Sequence, residues 1–356
     1  MAAMALNDFI IGQDDRILIT GATGFIGSRL VANLVDRGFR NLRCFARPSS
    51  AATRGDTLSV FTGSSRSVEV ITGNLLSRED CNTATKDVTV IFHLAAGRGE
   101  KSFPDAFMNS VVTTRNLLEA SIQNKSLKRF VNVSSFTVYT NTDKPHGRML
   151  DESCPVETRP ELRGEAYCFA KLKQEEIVAH YAKKFGMPCA IVRPGVVYGP
   201  GNEAIHGRVG IGTFGVFLHL GGSNAIPFTY VDNCADAIAL VGLRSGTDGE
   251  VFNVVDDDLP SSRQFLRLYK RQVRGFRSIY VPHIFSYALC YGWERYSARS
   301  QGQLPPMFNR RRWHANWMKT RYSNAKLKGI GWKPKVPTSE ALRSYFEACR
   351  NGAQNA

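Results

Sequence analysis

Apolar residues in this chain alternate between short unbroken blocks and longer stretches with a helical period. Ile17-Leu18-Ile19-Thr20 is a block too short for a helix and of the kind that forms a strand covered on both faces. Gly21, Gly24 and Gly27 follow it. Over 28–38 the period then changes, placing Leu30, Val31, Leu34 and Val35 on one helical face. The same alternation recurs downstream. Strands are expected over 41–46, 68–72, 89–94, 128–133 and 188–192, and helices over 103–124 and 164–185. In the helix over 103–124 Phe107, Val111, Leu118 and Ile122 supply the apolar stripe. Small and polar residues over 51–65, and the proline-containing stretch 140–160, read as loops. After Pro200 the alternation breaks down, until a helix over 234–243 and a strand over 250–254 resume it.

Strands alternating with helices imply βαβ units and a mostly parallel sheet. The expected fold class is therefore α/β, a Rossmann-type doubly wound parallel sheet with a smaller, mostly helical C-terminal substrate-binding region. Residues 14–193 should form the dinucleotide-binding domain, with 228–256 returning to it. Residues 194–227 and 257–350 should form the substrate-binding region. A strand, a glycine turn and a helix present backbone N–H groups and a helix N-terminus to a pyrophosphate. Gly21 permits the tight turn, Gly24 lets the backbone approach phosphate, and Gly27 lets the helix pack on the sheet. At the end of the second strand an acidic residue would bond the adenosine ribose, whereas an arginine accommodates a 2′-phosphate. Arg47 stands there, with Arg43 nearby and no acid, which favours NADP, with NAD as the alternative.

Composition narrows the class. The chain has 356 residues, 43% hydrophobic and 22% charged, enough to bury a large core. Eight cysteines without a CxxC pair argue against a zinc or disulfide scaffold and fit a reducing, cytoplasmic setting. The first 16 residues carry no secretory pattern, and the apolar stretch 281–293 is too short to span a bilayer. The net charge of +15 is concentrated. Residues 261–335 hold 17 Lys or Arg and one acid, Glu294, for +16. Such a segment suits an anionic small-molecule substrate or an anionic membrane surface, and no nucleic-acid motif accompanies it. A second copy of the chain is a further expected partner.

The ordered set TGATGFIG, HLAA, SSFTVY, Tyr167-x-x-x-Lys171, RPGVVYGPGN and YVDN resembles the extended short-chain dehydrogenase/reductase superfamily. That group holds the NAD(P)-dependent nucleotide-sugar epimerases and dehydratases and the 3β-hydroxysteroid dehydrogenases. The resemblance spans roughly residues 16–254. It implies Ser135, Tyr167 and Lys171 as catalytic residues. It also implies cofactor contacts from Gly21, Thr23, Gly24, Phe25, Ile26 and Gly27, from Leu94, Ala95 and Ala96, and from Pro194 and Val197. Arg47 and the pair Asn74-Leu75 would meet the adenosine end, while Tyr167 and Lys171 would also meet the nicotinamide ribose. No metal is implied. Tyrosine and lysine four apart share one helix face. A free tyrosine titrates near pKa ~10, and a neighbouring ammonium and an oxidised nicotinamide both favour tyrosinate. Tyr167 can then take a hydroxyl proton as hydride leaves the carbon, while Ser135 holds the same oxygen.

Three departures from the family pattern stand out. Asn74 replaces the usual Asp, and Ser110 falls where a helix asparagine is common, with Asn109 one place off. Ile226-Pro227-Phe228-Thr229 stands where nucleotide-sugar members carry a phosphate-binding arginine, which is closer to the steroid-dehydrogenase type. Phe136-Thr137 stands where 4,6-dehydratases place an Asp-Glu pair, which disfavours dehydration. The expected activity is hydride transfer at a secondary alcohol or ketone, foremost of a nucleotide-linked sugar. The alternatives are a steroid or other hydrophobic alcohol, and a non-catalytic dinucleotide-binding regulator. Residues 261–335, whose arginines interleave with Phe276, Tyr280, Phe285, Tyr287, Tyr291, Trp293 and Trp313, are expected to close over an anionic or membrane-associated substrate, with Arg310, Arg311 and Arg312 contributing to its binding.

Overall fold

The computed structural model describes residues 9–48, 68–97, 102–140, 142, 147–300, 303–304 and 308–354. The loop expected over 51–65 lies outside the described residues. In chain order the first half comprises β1 Ile17–Thr20, α1 Phe25–Asp36, β2 Leu42–Ala46, β3 Val68–Thr72, α2 Arg78–Thr85 and β4 Val90–His93. Helix α3, Phe103–Ala106, continues through a π-helical turn, Phe107–Val112, into α4, Thr113–Ile122. Then come β5 Arg129–Val133, β6 Met149–Leu150, α5 Pro160–Arg163, α6 Ala166–Phe185 and β7 Cys189–Pro194. Four short strands follow: β8 Val196–Tyr198, β9 Gly210–Thr213, β10 Val216–His219 and β11 Phe228–Tyr230. They lead into α7 Val231–Leu243 and β12 Val251–Val254. The remainder holds α8 Ser262–Gln272, β13 Ser278–Tyr280, α9 His283–Arg299, α10 Arg310–Trp317, β14 Arg321–Tyr322, α11 Ala325–Gly329 and α12 Thr338–Gln354.

Seven strands form one parallel sheet in the order β12-β7-β5-β4-β1-β2-β3. Both faces are covered, which is why β1, β4 and β5 are buried at every position. Side chains alternate between the two layers with the period of two that a strand imposes. Ile17 and Ile19 enter the core with Leu30, Val31 and Leu34 of α1 and Ile238 and Val241 of α7. Leu18 enters the opposite core, with Leu117 and Leu118 of α4 and Val178 of α6. Each such side chain contributes roughly 1.5–3 kcal/mol of burial. The chain leaves β1 for β2 on one side and reaches β4 on the other, so a crevice opens at their C-terminal ends.

Three elements depart from the expected spans. Helix α1 begins at Phe25 rather than at 28, because Gly24 serves as its extended N-cap and Gly27 sits inside the first turn. The helix over 103–124 is interrupted by the π turn, whose extra residue shifts the apolar stripe and leaves Phe107 exposed while Val111 and Leu118 stay buried. Helix α7 begins at Val231, three residues early. The buried Asp256 carboxylate accepts the Tyr230 backbone N–H at 2.8 Å and Asn233 Nδ2 at 3.1 Å, fixing this N-terminus. Farther on, Leu327 and Trp332 pack back into the core under α1 and α7. All eight cysteines are free and buried. Among the described residues no helix is long and apolar enough to cross a membrane.

Candidate active site

The glycine turn after β1 is shaped by close approach. Gly21 has φ +73°, and a Cβ there would lie 3.0 Å from the Ala95 backbone nitrogen at the end of β4. A Cβ on Gly27 would fall 2.1 Å from the Gly21 carbonyl oxygen. Any side chain at these two positions would push helix α1 off the strand ends. The turn forms one wall of a cleft of about 380 Å³, which Gly24, Phe25 and Ile26 also line. Leu94 and Ala96 line it from β4, and Pro194 and Val197 from the β7–β8 corner. Ser134, Ser135, Tyr167 and Lys171 complete the opposite wall. Ser134 Oγ is buried there with no hydrogen-bond partner among the described residues. A glycine cradle that tolerates no Cβ, together with an orphaned hydroxyl, fits a dinucleotide.

Not every expected contact reaches this cleft. Thr23, Arg47, Asn74, Leu75 and Ala95 do not line it. Arg47 is exposed one residue beyond β2. Arg43, expected beside it, is buried: its guanidinium pairs with Glu69 at 2.9 Å and donates to the carbonyls of Thr83, Ala84 and Lys86 at the end of α2. It closes a helix C-terminus and is unavailable to a ligand. The Asn74 backbone N–H donates to Asp80 at 2.7 Å, and its side chain accepts from Leu76. Leu75 is buried against α2. Ser110 Oγ accepts the Gly97 backbone N–H at 3.0 Å, pinning the loop after β4 to the π turn. His93 bridges Thr20 at 2.8 Å and Thr114 at 2.9 Å, and burial drives its pKa down to about 3, so the imidazole is a neutral core strut.

Helix α6 carries Tyr167 and Lys171 one turn apart. The Lys171 ammonium donates to the Val133 carbonyl at 2.8 Å and lies 5.9 Å from the centre of the Tyr167 ring. Burial lowers the Lys171 pKa to about 8, and the Glu175 carboxylate, a further turn along, opposes that fall. Glu175 in turn holds Arg193 through two hydrogen bonds of 2.9 and 2.5 Å. Arg193 also stacks 4.7 Å above the Tyr139 ring. Ser135 caps a short 3₁₀ turn, Phe136–Val138, its Oγ accepting the Thr137 backbone N–H at 3.2 Å.

Ser135 and Tyr167 also line a second, adjoining cavity of about 320 Å³. Its other walls come from the β8–β9 loop and helix α10, including His206, Arg208, Arg312, Asn316 and Trp317. Here the expected arginine cluster is corrected. Arg310 pairs with Glu294 at 2.9 Å and Arg311 with Glu157 at 2.8 Å, and neither lines the cavity. Arg312 does line it but pairs with Glu165 at 3.0 Å. The seven aromatics expected to cover the substrate are absent from the lining, and Trp313 is buried in a core of its own with Cys290, Trp317 and Met318. Sequence reasoning missed Arg208. Its guanidinium donates only to neutral oxygens, the Asn316 carbonyl at 3.4 Å and the Tyr322 hydroxyl at 3.3 Å, and among the described residues it forms no ion pair. Its lone position outside any motif offered no signal.

Comparison with known proteins identifies the family and the fold. Residues 17–254 match the profile of the NAD dependent epimerase/dehydratase family. The chain is 26% identical over 289 residues to a UDP-N-acetyl-alpha-D-glucosaminuronate decarboxylase of Bacillus cytotoxicus, covering 75% of this chain and 83% of that one. It is 28% identical over 249 residues to a trifunctional UDP-glucose 4,6-dehydratase/UDP-4-keto-6-deoxy-D-glucose 3,5-epimerase/UDP-4-keto-L-rhamnose-reductase of Arabidopsis thaliana. That match takes in 67% of this chain but only 36% of the plant protein. The fold superposes on UDP-glucuronic acid 4-epimerase from Bacillus cereus, solved with UDP-glucuronic acid and NAD, with a TM-score of 0.71 and 21% identity. That superposition covers 94% of this chain and 99% of the other.

Proposed function

The chain belongs to the NAD dependent epimerase/dehydratase family, and from that premise we propose that it moves a hydride between a nicotinamide cofactor and a secondary alcohol or ketone carbon of a nucleotide-linked sugar. One observation carries the reading. Ser135 and Tyr167 stand on the wall shared by the glycine-cradled cleft and a second cavity lined by Arg208, a cation that forms no ion pair among the described residues. A nicotinamide ring bound in the cleft supplies the hydride acceptor and donor. Tyr167 takes the proton from the substrate hydroxyl as its carbon is oxidised, and returns a proton when the carbonyl is reduced. Ser135 donates a hydrogen bond to the same oxygen and holds it beside Tyr167. The Lys171 ammonium favours the tyrosinate form. Phe136 and Thr137 line the cavity where a dehydratase would need carboxylates, which favours epimerisation or simple oxidoreduction.

The test is incubation with UDP-glucose or UDP-glucuronic acid and either NAD or NADP, with chromatography of the sugar nucleotide. A new epimer or ketosugar is expected. Oxidation of steroid alcohols with every nucleotide sugar left unchanged would overturn the substrate class. Arg208 is assigned to the diphosphate or carboxylate of the substrate, because a buried-edge guanidinium with neutral partners retains its full charge for an anion. Arg208→Met should raise KM about tenfold or more with little change in kcat, and Arg208→Lys should recover part of the loss. An unchanged KM would remove Arg208 from the substrate site.

Among the cofactors, NADP is favoured over NAD by Arg47, which follows β2 at the same sheet edge as the glycine turn. Arg47→Ala should narrow the ratio of NADPH to NADH affinity by about tenfold, the scale of one charged hydrogen-bonded contact. Tighter binding of NADH to the unaltered protein would reverse the preference.

A further inference from the structure

Helix α9 turns Tyr287 and Trp293 half inward but leaves more of its large apolar side chains in the open. Its fully buried positions are Ser286, Cys290 and Ser297: Ser286 accepts the Trp313 indole N–H of α10 at 2.9 Å, Cys290 packs beside Trp313 and Trp317, and Ser297 donates to the Leu304 carbonyl at 2.7 Å. The exposed positions of the helix include Ile284, Phe285, Ala288, Leu289, Tyr291, Arg295, Tyr296 and Arg299. Ile284 is 75% exposed, Phe285 63%, Leu289 70% and Tyr296 62%. An ordinary surface helix buries its large apolar residues and exposes its small polar ones. The adjoining strand β13 adds Ile279 and Tyr280, both exposed. Phe214, at the tip of the β9–β10 hairpin, is fully exposed in left-handed backbone with φ +46°. Exposed apolar side chains gathered on one element mark a contact surface.

The charge around this surface selects the partner. Arg295 and Arg299 are exposed on α9 itself, and the one acid of the helix, Glu294, is taken by Arg310. Two copies meeting through this face would oppose arginine with arginine, without a carboxylate to separate them. Aliphatic and aromatic side chains rimmed by arginines instead match the interface of an anionic bilayer. There the apolar residues enter the boundary between head groups and acyl chains, and the guanidiniums meet lipid phosphates. We propose that α9, with β13 beside it, seats the protein peripherally on an anionic membrane. The inner side of the same helix pair faces the active site, since α10 contributes Arg312, Asn316 and Trp317 to the second cavity.

Flotation of the purified protein with phosphatidylcholine vesicles, alone or mixed with phosphatidylglycerol, tests this. Binding to the anionic vesicles should exceed binding to the neutral ones by about tenfold or more and weaken with added salt. The triple variant Ile284→Ser, Phe285→Ser, Leu289→Ser should lose that binding while retaining the cofactor affinity of the parent, because all three side chains lie outside the packed core. Arg295→Gln with Arg299→Gln should weaken binding and flatten its salt dependence. Equal binding to both vesicle types, or none, would overturn the proposal. So would a dimer seen by light scattering that the triple variant converts to monomer, since the face would then belong to a second copy.

Discussion

Tyr167→Phe should cut turnover about 100-fold or more, the loss expected for a positioned acid/base, and leave cofactor affinity almost unchanged. The hydroxyl is the only atom removed, and the ring keeps its place 5.9 Å from the Lys171 ammonium. The same site predicts a pH signature. Lys171 loses its proton as pH rises through about 8, so the charge that favours tyrosinate is present below that pH and fades above it. Steady-state kinetics across that range, with cofactor binding followed by fluorescence, would show both effects. Turnover in the phenylalanine variant equal to that of the parent would remove Tyr167 from the chemistry.

Glu175→Gln should cost about 3–5 kcal/mol of stability, because it strands the Arg193 guanidinium in the interior without a counter-charge. Both side chains are buried, and they are joined by two short hydrogen bonds. The double variant Glu175→Leu, Arg193→Met should recover most of the loss, since an apolar pair requires no desolvation of charge. Urea denaturation of the single and double variants measures this directly. A single variant as stable as the parent would show that the pair is dispensable. The substitution has a second consequence at Lys171. Removing the carboxylate that partly offsets burial leaves burial unopposed, so the alkaline fall in activity should begin at lower pH. The buried pair thus links the interior of α6 to the charge state of the site.

Local pattern was enough to read the parallel sheet, its helices and the strand–glycine–helix turn. Those features arise from short-range physics: an apolar block covered on both faces, a period of 3.6, and glycines where a Cβ would strike a carbonyl. Tyr167 and Lys171 were legible only through the ordered set of motifs that resembles the family; helix geometry adds that residues four apart share one face. The fate of the charges was not legible. Arg310, Arg311 and Arg312 read as one cationic cluster, yet Arg310 pairs with Glu294, Arg311 with Glu157, and Arg312 with Glu165, which it shares with Arg163. Arg43 read as a neighbour of the cofactor, yet the end of α2 folds over it. Arg208 carried no motif, yet it lines the second cavity and forms no ion pair among the described residues. Which charge remains free depends on which acids the fold carries to it. A Coulomb interaction acts over a few ångströms in space and is indifferent to separation along the chain, so only the tertiary structure could decide it.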